Sequence, residues 1–194
     1  MRSLHLVVLA IACAACGKGA SSSSHPQPED RVARGLAAFE TVRSVLQHPR
    51  CQNCHPDGDA PLQGDDSHVH HQNIQRGPTG NGMVGAECTT CHRGANPPDS
   101  FGPHTPPGVV KGWHMPPPEQ RLVFVGVAPG ALCAQIKDPA RNGGKDAPAL
   151  RAHLDDPLVT WAWSPGVGRT PPPVSHRDFV AAWETWFAAG APCP

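Results

Sequence analysis

Apolar residues between Glu29 and His48 recur as Val32, Leu36, Phe39, Val42, Val45 and Leu46, mostly three or four positions apart. That period places them on one face of a helix, with Asp30 as its cap and Pro49 as its stop. The same pattern predicts short helices over 128–138 ("APGALCAQIKD") and 146–156 ("DAPALRAHLDD"), separated by the tight connection "PARNGG". The last helix is the clearest. Ser175 and Asp178 stand at capping-box spacing, Phe179, Val180, Trp183 and Phe187 form its stripe, and Gly190 ends it. Elsewhere the periodicity fades. One helical turn is expected around 68–75, irregular chain over 93–120, and a single strand, "RLVFVGV", at 121–127. The expected fold is mostly α with long Pro/Gly-rich loops.

Composition changes that picture in one respect. The 194 residues include 24 prolines and 20 glycines, only 39% are hydrophobic, and there is no tyrosine. Side-chain burial alone would hardly offset the ordering entropy of such a chain, so something else has to contribute core. Charge is balanced, with 16 basic and 16 acidic residues. No basic face is visible, which argues against a nucleic-acid partner.

The chain begins with Arg2 and the apolar run "LHLVVLAIACAA", too short to span a bilayer. It leads to Cys16 through the small residues Ala14 and Ala15. This resembles a bacterial lipoprotein signal lipidated at Cys16, with Cys13 after "AIA" as the competing cleavage point. The expected organisation is a signal peptide over 1–16, a flexible tether over 17–28 and one domain over 29–194. The protein is then expected in the periplasm or on the outer surface of a bacterial membrane, held by a lipid anchor, where disulfides form.

The chemistry lies in the cysteines. Cys51–Cys54–His55 and Cys88–Cys91–His92 both spell C-x-x-C-H, the sequence of covalent c-type haem attachment. Two thiols three positions apart share one helical turn, so each can form a thioether with one haem vinyl group. The adjacent histidine then binds the iron as proximal ligand. A zinc ribbon pairs its C-x-x-C motifs at closer spacing than the 33 residues between Cys54 and Cys88. A thioredoxin-like dithiol needs a βαβ setting, which the pattern lacks. Two haems c would also provide the missing apolar core. Cys133 and Cys193 remain, most simply as a disulfide.

The second axial ligand of each iron decides between electron transfer and chemistry at an open site. His70, His153, Met115 and His114 are the candidates, with His68, His71 and His104 nearby. His70 shares a helical face with Ile74. His153 follows Ala149 and Leu150 by one turn. Met115 sits before prolines in "GWHMPPPE". Trp161, Trp163, Trp183 and Trp186 are expected as haem-packing or core aromatics. Asp57, Asp59, Asp65 and Asp66 form an acidic loop, either solvated or steering a basic partner.

The stretches Cys51–Asp65, His70–Gly77, Cys88–His92, Leu132–Gly144, Leu158–Pro171 and Gly190–Pro194 together resemble a family of exported dihaem c-type cytochromes. Its members are often labelled isoquinoline 1-oxidoreductase subunits. "WAW" stands here where the family more often has "WGW". The resemblance implies a small multihaem cytochrome c-like domain that accepts electrons from a partner oxidoreductase, in the label's case a molybdenum hydroxylase. The expected function is extracytoplasmic electron transfer to or from a redox partner protein, rather than catalysis. The alternative is a small peroxidase-like haem enzyme or a haem-based ligand sensor, either of which needs one open iron.

Overall fold

The computed structural model describes residues 27–194. The export signal, the tether as far as residue 26 and the lipidation site Cys16 lie outside the described residues. The chain is mostly helical. Among the described residues no helix is long and apolar enough to cross a membrane.

Helix α1 runs Pro28–Leu46. Its cap is Gln27, whose side chain makes no capping bond, and not Asp30. Pro28 at the first helical position has φ already set for the helix, so Pro28 belongs to α1 rather than to the tether. Glu29 and Asp30 instead sit in the first turn, where carboxylates favour the positive end of the helix dipole. Phe39, Val42, Val45 and Leu46 are buried, whereas Val32 is 42% exposed. The covered face begins at Gly35, because Ala189 and Pro192 press there: an added Cβ would meet either at 2.7 Å.

The helix that covers α1 is the last, α7, His176–Ala188. The Ser175 side chain accepts from the Asp178 N–H at 3.1 Å and donates to the Asp178 carboxylate at 2.7 Å. Its buried residues are Phe179, Trp183 and Trp186, with Val180 and Phe187 only half-buried. The centre of the stripe is thus Trp186, one position from the expected Phe187. It packs 4.9 Å from Phe39, and its N–H donates to the Pro192 carbonyl at 2.9 Å.

Four short helices complete this half: α3, Pro129–Lys137; α4, Pro139–Asn142; α5, Ala147–His153; α6, Pro157–Thr160. The second helix, α2, Pro49–Gln52, lies earlier and begins the first motif at Cys51. Asp138, Asp146 and Asp156 cap α4, α5 and α6 by accepting from Ala140, Ala149 and Leu158 N–H, each at 2.9 Å. The segment expected as one helix to residue 156 therefore ends at His153, since Asp156–Pro157 starts another. Cys133 of α3 is bonded to Cys193, closing a loop of 60 residues.

No strand forms at 121–127. The Val123 N–H donates to the Gln135 side-chain carbonyl at 3.0 Å, and the Gln135 amide donates back to the Val123 carbonyl. A buried side-chain amide thus fills the place a neighbouring strand would take. The paired strands lie in the middle of the chain: β1, Leu62–Gln63, with β2, His68–Val69, and β3, Gly82–Met83, with β4, Ala86–Glu87, both antiparallel. Between them His71–Asn73 forms a 3-10 turn, with His70 as its cap.

Candidate functional site

Each C-x-x-C-H motif is one turn of helix. In the first, Cys54 N–H donates to the Cys51 carbonyl at 3.2 Å and His55 N–H to the Gln52 carbonyl at 3.0 Å. In the second, Cys91 and His92 N–H both donate to the Cys88 carbonyl, at 3.3 and 3.0 Å. Thiols three positions apart therefore share a side in both motifs.

The two histidines are held alike. His55 Nδ1–H donates to the Leu122 carbonyl at 3.0 Å, and His92 Nδ1–H donates to the Pro107 carbonyl at 2.7 Å. A carbonyl only accepts, so the proton sits on Nδ1 and the Nε2 lone pair is free. This is the tautomer of a metal-binding imidazole whose other nitrogen is fixed by backbone. Burial pushes both rings down to about 4, so each is neutral near pH 7. Phe124 stacks on His55 at 4.1 Å, and Trp113 stacks on His92 at 4.5 Å.

Cys51, Cys54 and His55 open onto a cavity of about 290 Å³. Its walls are largely apolar: Leu46, Phe124, Ile136, Leu150, Leu154 and Phe179 contribute, from α1, α3, α5, α7 and the 122–124 segment. Burial pushes the Cys51 thiol up to about 12 and the Cys54 thiol up to about 11. Both are therefore uncharged thiols, not reactive thiolates.

Two donors on the cavity wall have no protein acceptor. Arg50 is 7% exposed; its Nη2 donates to the Gly64 carbonyl at 2.8 Å and to Asp65 at 2.6 Å, while its Nε is unpaired. Trp183 is 4% exposed and its indole N–H is likewise unpaired. Orphaned buried donors are costly unless something in the cavity accepts from them. Sequence reasoning missed Arg50 and placed Trp183 only as an aromatic; neither has a local signal for this role.

The candidate second ligands separate cleanly. His153 and His114 both stand on the wall of the first cavity. His70 does not; its ring lies 6.3 Å from that of His92, at the second motif. Met115 is 2% exposed and is not on the cavity wall. Its N–H donates to the Gly80 carbonyl at 2.8 Å, and a Cβ on Gly80 would meet the Met115 carbonyl at 2.1 Å, so only glycine permits that approach. The acidic loop is largely engaged within the chain: Asp59 pairs with Arg121 and Arg76, Asp65 with Arg50, and Asp66 with His68.

Among the described residues no three His, Cys, Asp or Glu side chains converge as a metal site. The chain matches no protein-family model, no curated protein and no solved structure.

Proposed function

We propose that this protein is an extracytoplasmic electron carrier with two covalently bound haems c, Cys51 and Cys54 holding one and Cys88 and Cys91 the other. The observation that carries the reading is the repeated constellation: two thiols on one turn, followed by a neutral imidazole whose Nδ1–H is fixed to a backbone carbonyl. His55 and His92 are the proximal ligands.

The residues around the first motif fit the group. The apolar walls suit a porphyrin face, and the uncharged thiols suit addition to vinyl groups. Arg50 Nε and Trp183 Nε1 are unpaired donors for which haem carboxylates are acceptors of the right charge and polarity. When bound, the haem supplies one-electron redox chemistry. The chain's part is to keep His55 and His92 neutral and rigid, to exclude water with apolar walls, and to hold positive charge at Arg50 beside the site.

The likeness to exported dihaem cytochromes supports the same reading, as does the lipoprotein-type start of the chain. A redox partner protein at a membrane surface, reached through a lipid anchor at Cys16, completes the proposal. The test is maturation in a host that attaches haem c. The expected product is coloured and heavier than the mature polypeptide by two haems. Cys51→Ala with Cys54→Ala should remove one haem, and Cys88→Ala with Cys91→Ala the other. A colourless product of polypeptide mass overturns the proposal.

A further inference from the structure

Resting on the reading that each motif holds a haem, we propose that His70 is the sixth iron ligand at the second motif, opposite His92. That iron is then closed to external ligands, and its haem serves electron transfer alone. The ligand comes from the loop that follows the first motif and crosses to the second.

The ring centroids of His70 and His92 lie 6.3 Å apart, with the planes at 61°. A metal–imidazole bond is about 2.0 Å and a centroid lies about 1.1 Å behind its nitrogen, so two imidazoles on opposite faces of one ion have centroids about 6 Å apart. The observed centroid separation falls at that value. No hydrogen bond between the rings accounts for their approach. Each ring instead sends its proton elsewhere: His92 Nδ1–H to the Pro107 carbonyl, and His70 Nδ1–H to the His71 carbonyl at 2.7 Å. The nitrogen left bare on both is Nε2.

The backbone around His70 is held firmly. The β1–β2 pair fixes the register Leu62 to Val69, and His70 N–H donates to the Pro61 carbonyl at 2.9 Å. The chain then turns through Gln72 and Asn73, both at left-handed φ of 64° and 53°. Two successive non-glycine residues there are costly, and such strain persists where the surroundings over-determine it. The wall of the first cavity does not include His70.

The experiment compares the haem-loaded wild type with His70→Ala and His70→Met. Wild type should show the second haem as low-spin in both redox states and without carbon monoxide binding. His70→Ala should retain two haems and convert one to a species that binds carbon monoxide, and added imidazole should restore the low-spin spectrum. His70→Met keeps a sixth ligand and should raise the potential of one haem without opening it, since a thioether favours the reduced iron. Two haems in His70→Ala with unchanged spectra would sink the assignment while leaving the dihaem reading intact. So would a wild-type second haem that is high-spin, a measurement that needs no variant to fold. Absence of covalent haem from wild type would remove the dihaem reading itself.

Discussion

Trp113 lies face to face with His92, ring centroids 4.5 Å apart and planes 6° from parallel. Trp161 closes the stack edge-on, 4.7 Å from Trp113 at 84°, and its N–H donates to Asn96 at 2.9 Å. Asn96 in turn accepts from Gly108 N–H at 3.1 Å, beside the Pro107 carbonyl that orients His92. The imidazole is therefore clamped through its face and through its Nδ1. Trp113→Ala removes two ring pairs and should destabilise the chain by about 1–3 kcal/mol. In haem-loaded protein it should loosen the proximal ligand and shift the potential of one haem; Trp113→Phe should restore most of both. Denaturant unfolding and a redox titration check this.

Arg50 and Asp65 join the first motif to a distant segment, because Asp65 also accepts from Thr170 N–H and Oγ at 3.0 and 2.6 Å. Asp65→Ala leaves a buried guanidinium without its counter-charge. The expected loss is about 2 kcal/mol, below the range for a fully buried pair because the Asp65 side chain is 42% exposed. Glu184→Ala breaks the surface pair with Arg151 and should change stability by under about 0.5 kcal/mol. Urea midpoints of the two variants separate the cases.

Acid should weaken the chain before haem is attached. Burial holds His55 and His92 at about 4, below the usual value near 6.5 that the unfolded chain returns to. Between these limits the unfolded state binds more protons, so stability falls as pH drops from about 6.5 to about 4 and levels off below that from these groups. His55→Phe should flatten part of that slope. Equilibrium unfolding at several pH values measures it.

The Cys133–Cys193 bond closes a loop of 60 residues. In the chain-entropy model such a loop contributes about 4 kcal/mol. Cys133→Ala with Cys193→Ala should lower stability by up to that amount and loosen the contact of the C-terminus with α1 at Gly35. Thermal unfolding with and without reductant is the check, and a reductant-insensitive wild type would count against the pairing.

The local features were legible in the sequence because their causes are local. Periodicity placed α1, α3 and α5, periodicity with capping-box spacing placed α7, and i, i+3 geometry placed the thiols of each motif on one turn. The residues sharing a turn are neighbours along the chain, so no distant partner was needed to read them. The strand expected at 121–127 fails for the opposite reason: its hydrogen-bonding partner is the Gln135 side chain, which no β pattern announces. Val32 fits the apolar period of α1, yet the chain that would cover it ends at Gly35 and beyond. The histidines divide in the same way. Sequence alone identified His70, His153, His114 and Met115 as a set, but their assignment depends on which loops cross. Only the tertiary structure carried His70 to His92, lined the first cavity with His153 and His114, and buried Met115 away from its wall. It also placed Arg50 and Trp183 at the cavity with donors unpaired. Such juxtapositions arise from packing between segments tens of residues apart, and chain-local propensity does not encode them.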